Sequence, residues 1–555
     1  MRLTQLCGVI LVSLAVTACG GGGKKGAAQP SPTSPSTPPA TPPATPPSTP
    51  PQPAPAAEVQ LTLTTPAIRL KAVSGDDVDA VLDGQWSATN LGSGLVYLQV
   101  SDDHGMFAMP AVQPAPAGGA YSFALTSAAG RRSVGTHTGI LTVRACADAQ
   151  CLTPYTNASK SVEYSITVIP TPEWETLQGN AAHDGYVPIT LDPSKFVKAW
   201  QWTRPTPGVI GGINSVATSE GLVFVSEDEY AGSPSLYALD TATGEIRWKQ
   251  QFTNNWSPAL NPPATSNGNV YVTTTGHGGT FLWSFKAKDG TPLAQSSFST
   301  QWANLLAPTV KNGRVYVNAG SYGGVMYAFD ATSGTKQWEG VGGTYGMNTP
   351  AVDDKYLYIH DGDALAVLDA GSGESVARIG FASTGSSLYD YHGAPMIASA
   401  DSVIAWKGGA FSGRAASSAE PSANRQLVDY GISRKTTRWS SIKSYKTQPA
   451  IAKGVVYAAS DNPKSLDAID EATGVVLWSW VPGTSDTKFH RNIVVTNNLL
   501  FVSTDRALYA IDLATHRPVW QSATPGMVAI SGQRMLFVTT GTTLSDGKLV
   551  AFRTR

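Results

Sequence analysis

Cysteine is scarce in this chain of 555 residues: Cys7, Cys19, Cys146 and Cys151 are all there is, and no two are adjacent. So few thiols exclude a disulfide-built scaffold and any cysteine-rich metal cluster. Histidine is equally thin. The eight copies are isolated, with no His-x-His or His-Glu-x-x-His spacing to hold zinc. No Gly-x-Ser-x-Gly elbow marks a serine nucleophile. Charge of one sign is missing too: 39 Lys and Arg stand against 40 Asp and Glu, so no global field recruits nucleic acid. The one long apolar stretch, Leu11 to Ala18, is shorter than the ~20 residues a transmembrane helix requires.

What the chain does have is repetition. Leu236-Tyr-Ala-Leu-Asp-Thr-Ala-Thr-Gly-Glu-Ile-Arg-Trp248 returns as Met326 to Trp338, Leu466 to Trp478 and Leu508 to Trp520. A period of roughly 40 to 45 residues marks a solenoid or propeller. Before each copy runs an alternating strand such as Gly268-Asn-Val-Tyr-Val-Thr, and before that a small-residue segment such as Thr349-Pro-Ala-Val. Glycines at 244, 290, 334, 373 and 474 supply the positive φ of a tight turn. Four short strands per repeat make a propeller blade. The apolar residues Leu239, Phe285, Phe329, Leu368, Tyr430, Ile469, Ile511 and Phe552 count eight blades. Between Leu368 and Tyr430 the spacing stretches to admit Gly408 to Arg425, a Gly/Ser/Ala insertion read as a long loop. The eighth copy stops before its last strand, and Phe196 to Trp202 reads as the missing piece that closes the ring. One Trp per blade is expected to wedge between neighbours.

The pattern apolar-Tyr-Ala-apolar-Asp-x-x-Thr-Gly-x-x-x-Trp resembles the repeat of pyrroloquinoline-quinone-like propellers, and Trp174 to Tyr186 resembles the lead-in of the BamB-type lipoprotein members. The resemblance spans about residues 172 to 555 and implies an all-β, eight-bladed propeller. It also brings a catalytic rival, since quinoprotein dehydrogenases share the fold. Those enzymes carry a vicinal Cys-Cys and a Ca²⁺-binding carboxylate set. This chain has no cysteine from Trp174 onward, so no cofactor, catalytic or metal residue is assigned.

Residues 1–18 have the layout of a secretory signal. Val16-Thr-Ala-Cys19-Gly20 resembles a bacterial lipobox, which makes Cys19 the expected lipidated N-terminus. The alternative is an ordinary signal with an incidental cysteine. Residues 19–57 are a Pro/Thr/Ser spacer that favours extended polyproline II; it is read either as a tether across the envelope or as a linker of no selected length. Residues 58–170 alternate apolar and polar positions in Val59–Leu63, Gly94–Val100, Tyr121–Leu125, Gly139–Val143 and Tyr164–Val168, which fits a small immunoglobulin-like β-sandwich ahead of the propeller at 171–555. Cys146 and Cys151 are left to form a disulfide in an oxidising compartment, with metal binding as the rival.

Other candidates have simpler readings. His277 and His490 lie nearest a plausible propeller face, but loop histidines explain them. Asp361-Gly-Asp363 and Asp76-Asp-Val-Asp79 do not continue into a calcium loop. Arg434-Lys435, Arg438, Lys443 and Lys446 form either a docking patch or a solvated rim. The expectation is an envelope protein, held by its lipid at the outer membrane, whose non-catalytic propeller binds other envelope proteins or glycans. A BamB-like part in outer-membrane protein assembly heads the specific readings. A quinone-dependent dehydrogenase and an adhesion or polymer-binding protein are the alternatives. No nucleic-acid partner is expected.

Overall fold

The computed structural model describes residues 55–205, 212–227, 233–253, 259–275, 280–300, 307–319, 324–343, 349–360, 364–380, 394–407, 411–412, 420–421, 425–540 and 547–555. Cys19 and the spacer before residue 55 lie outside them, as do His277, His392, Asp361 to Asp363 and most of the 408–425 insertion.

The alternating residues that follow the spacer fold into two sheets. One runs Glu58–Leu63, Asp79–Thr89, Ala120–Ser127 and Phe107–Ala108 in spatial order; the other runs Ile68–Val73, Pro154–Ile169, Gly135–Cys146, Tyr97–Asp102 and Gln113–Pro114. Ile68–Val73 pairs in parallel with Pro154–Ile169. Inward-facing Leu61, Leu82, Phe123, Val143 and Ile166 fill the space between the sheets, so this is a sandwich. Cys146 and Cys151 are disulfide-bonded across the turn of the long hairpin, with Cα atoms 5.0 Å apart.

From Ala217 onward the sheets repeat. Ala217–Ser219, Leu222–Ser226, Ser235–Asp240 and Ile246–Gln251 form the first antiparallel blade. Among the described residues eight such sheets follow one another, the second with its innermost strand in two pieces, Ala259–Leu260 and Ala264–Ser266. Small residues are frequent in the innermost strands, as in Ala217–Ser219, Ala264–Ser266 and Ala450–Ala452, where little room remains as eight sheets converge. The eighth sheet is composite. Val197–Thr203 pairs antiparallel with Lys548–Arg553, from Val197 opposite Arg553 to Thr203 opposite Lys548. Val197–Thr203, which precedes the first blade in sequence, is thus the outermost strand of this sheet.

The repeated residues hold blade to blade. Trp200, Trp248 and Trp439 each lie over a turn glycine of the next blade, at Gly244, Gly290 and Gly474. At Gly474, φ is +72°, and a Cβ would fall 2.7 Å from the Trp439 ring. The indole N–H of each donates to a carbonyl of that same turn, at Thr241, Ala287 and Glu471, over 3.0, 2.8 and 2.8 Å. The motif aspartate shapes the turn: Asp240 Oδ1 accepts from the amides of Ala242 and Thr243. Two departures from one Trp per blade stand out. The second blade's outer strand, Pro292–Ser297, and the fourth's, Ser375–Gly380, contain none; Ala294 and Ser296 meet Gly334 instead. At the seventh blade His516, at φ +57°, replaces the glycine and stacks on Trp478 with ring centroids 4.3 Å apart.

Candidate functional site

The lead-in peptide runs around the axis of the ring. Its backbone and side chains bond in order to all eight inner strands or their ends. Trp174 N–H donates to Thr218 Oγ1 (2.9 Å) and its carbonyl accepts from Thr218 N–H. The Glu175 carbonyl takes Thr265 N–H, and Thr176 Oγ1 donates to the Pro308 carbonyl. The carbonyls of Ala181, Ala182, Asp184 and Gly185 take the amides of Val352, Ile397, Ile451 and Val495, at 2.6 to 2.9 Å. Glu173 Oε2 closes the circuit on Gly532 N–H of the eighth blade, at 2.9 Å. These bonds satisfy inner-strand groups that have no further strand to pair with. We call this segment, Glu173 to Val187, the clasp.

Two buried side chains tie the clasp across the axis. Gln178 Nε2 donates to the Pro449 and Ile493 carbonyls, both at 2.7 Å, and Oε1 accepts from Asn492 Nδ2. His183 is fully buried, with Nδ1 2.5 Å from the Leu177 carbonyl and Nε2 2.9 Å from that of Pro350. Burial holds its pKa below the ordinary value, against the two carbonyls, which raise it. The ring is therefore neutral near pH 7, and its single N–H can donate to only one of these two carbonyls. Asp184 accepts from Tyr186 N–H and Asn180 Nδ2, yet burial pushes its carboxyl up to about 6.

Several charged side chains elsewhere are paired. Arg204, at the end of the closing strand, meets Glu227 at 3.0 Å, both almost without solvent contact. The suspected basic patch is divided by the ten-residue strand Thr436–Tyr445. Arg434 and Lys435 sit in the turn before it. Arg438 pairs with Asp429 and Glu471 at 3.1 and 3.0 Å. Lys443 and Lys446 pair with Asp467 and Asp461 near the strand's far end. Asp467 is also the acceptor for Tyr445 OH. Five cations clustered in sequence do not form one patch. His490 is buried in the innermost strand of the seventh blade, Phe489–Val495, rather than displayed on a face.

The sandwich abuts the turn end of the eighth blade. Arg534 Nη1 reaches Asp76 Oδ1 at 2.6 Å and the Thr190 carbonyl at 3.2 Å, while Nε donates to the Ser74 carbonyl. Asp76, considered above as a calcium ligand, is thus an ion-pair partner at the joint. Among the described residues no group of three or more His, Cys, Asp and Glu is placed to hold a metal, and no helix is long and apolar enough to cross a membrane.

A ring of antiparallel sheets with its own N-terminal peptide around the axis defines a β-propeller. The sequence agrees with one family, described as "Outer membrane protein assembly factor BamB", over residues 184–306, 282–480 and 463–555. The chain belongs to that family. It is also similar to the serine/threonine-protein kinase AfsK of Streptomyces coelicolor, at 26% identity over 214 residues, which is 34% of this chain and 25% of the kinase. The chain therefore spans about a quarter of that relative's length. Among solved structures, the dihydro-heme d1 dehydrogenase NirN is 13% identical with a TM-score of 0.41, covering 60% of this chain and 74% of its own. U3-55K is 9% identical with a TM-score of 0.39, covering 65% and 99%.

The clasp residues are the ones to which the sequence alone assigns no role. Trp174 to Tyr186 is recognisable as a lead-in, but nothing in its spacing points to bonds with strands as far away as Asn492. Their partners lie in distant blades, so no local signal in the sequence marks them.

Proposed function

We propose that this is a lipid-anchored envelope protein whose propeller is a binding scaffold without redox chemistry of its own, serving outer-membrane protein assembly. Family membership supports the role. The observation that carries the scaffold reading is the clasp: one end of the axis is closed by the protein's own backbone and by Gln178 and His183. The repeated Asp, Gly and Trp residues are likewise accounted for by turns and blade contacts. Binding then falls to the loops between strands, in keeping with the concentration of recognition on loops. Cys19 holds the protein to the outer membrane through two or three acyl chains, enough for firm anchoring. Cys146 and Cys151 remain oxidised in the periplasm.

Cross-linking in intact cells followed by recovery from solubilised envelope tests the role. The expected partners are components of the barrel-assembly machinery. Recovery of polysaccharide or of surface adhesins in their place would move the protein to a different envelope task. Cys19→Ser should release it from membranes, whereas unchanged fractionation and mass would refute the anchor.

A further inference from the structure

The outer strand of the sixth blade differs from its seven counterparts. Six of those carry a charge, at Lys198, Arg247, Lys336, Arg378, Arg438 and Arg517. The remaining one begins with Pro292 and ends in Gln-Ser-Ser. Charge and proline are the usual protections of a sheet edge against strand addition. Val476–Trp480 has neither, and with Val475 and Val481 it forms a seven-residue segment containing no charge. Val475, Leu477 and Val481 are 60%, 54% and 62% exposed. Among the described residues the strand pairs only with Lys464–Asp470, which leaves its other main-chain edge open.

We propose that this edge docks an extended, uncharged β-strand of another protein, with apolar side chains at alternate positions. Open N–H and C=O groups ask for a partner main chain, and the exposed Leu477 and Val481 ask for apolar side chains beside it. The chain's own Pro30 to Pro55 run suits the edge poorly, because each proline lacks the amide hydrogen. A second copy is also disfavoured: a five-residue strand buries far less than the roughly 1,200 Å² at the low end of stable interfaces. A short extended segment needs only the ladder. The inference rests on the assembly reading above, since an unclosed transmembrane strand has this alternation and this open edge.

The test uses the full-length protein and a fluorescein-labelled nine-residue peptide of alternating valine and threonine. Saturable binding is expected, with amide exchange slowed at residues 475 to 481 and not on other outer strands. Leu477→Lys and Val481→Lys should each weaken binding at least tenfold with unchanged melting, while Val519→Lys on the seventh blade should leave it intact. Absence of binding, binding by both lysine variants as tight as that of wild type, or slowed exchange elsewhere would overturn the inference. So would protection of 475 to 481 without peptide in a dimeric species. Envelope partners recovered equally by wild type and Leu477→Lys would sink this inference and leave the assembly role standing.

Discussion

The axis and the rim of this propeller are held by different chemistry. On the rim, one device recurs: an aspartate caps a turn, a residue at positive φ completes it, and a tryptophan from the neighbouring blade lies over it. At the axis the contacts come from one segment. A single non-repeating peptide visits the blades in order, and its carbonyls take inner-strand amides of six of them. Rim contacts are therefore redundant and local, while axis contacts depend on one segment that every blade shares. The rim should tolerate a departure, as it does at His516, and the axis should not.

That contrast can be broken most forcefully at Gln178. Replacing it with Ala takes one of the two acceptors of Asn492 Nδ2, which keeps the Val528 carbonyl, and removes a donor from two buried carbonyls. At ~1–3 kcal/mol for each buried group left unpaired, the loss should exceed about 3 kcal/mol in chemical unfolding and extend to the whole ring. A loss below ~1 kcal/mol would mean that the clasp only lies against the blades.

On the rim, Trp439→Ala should remove about 3 kcal/mol. That is the low end of the ~3–5 kcal/mol range for buried Trp, because the ring is only partly buried. Local exchange should rise at Gly474 and Glu471 while the first and second blades keep their protection. Uniform loss of protection around the ring would erase the distinction between rim and axis.

Acid should act on the two regions with opposite sign. Asp184 at the axis is pushed by burial from 3.8 to about 6. The folded state thus holds its proton more tightly, and stability falls as pH rises from about 4 to 6. Asp184→Asn should remove that slope, worth up to about 3 kcal/mol over this range. On the rim, Asp330 and Asp512 lie below their ordinary value, chiefly through the amides of Ser333 and Thr515. Their contribution is present above the ordinary value of 3.8 and lost as pH falls below it. Denaturant midpoints at about pH 3, 5 and 7 for wild type and Asp184→Asn would separate the two windows.

The smallest effect is expected at His516. Glycine relieves the left-handed backbone but forfeits the stack on Trp478. With positive φ and an aromatic contact each worth roughly 1 kcal/mol, His516→Gly should move stability by less than about 1 kcal/mol.

The same contrast governs how much is legible in the sequence. Rim devices repeat, so Leu239-Asp240 and Trp248 announce their strands and turn, and Phe196 to Trp202 announces the ring-closing strand that the structure pairs with Lys548–Arg553. The clasp occurs once, and Gln178 acts through residues more than three hundred positions away, so no local pattern encodes it. In the sandwich, Ile68–Val73 and Asp79–Thr89 do not announce themselves as strands. Arg69, Lys71, Asp79 and Asp83 occupy their exposed positions, and the buried residues between them are as small as Ala72 and Ala80. The open edge of the sixth blade is hidden for the opposite reason. Val476-Leu-Trp matches the repeat; its lack of charge is legible in the sequence, but the exposure of Val475, Leu477 and Val481 is not.

The scaffold reading is tested most directly by titrating purified full-length protein with pyrroloquinoline quinone in the presence of Ca²⁺ and assaying dye-linked oxidation of alcohols and sugars. A propeller whose axis is closed by its own peptide and whose repeated residues serve turns and blade contacts should show no stoichiometric uptake and no turnover. Saturable binding together with turnover would make it an enzyme.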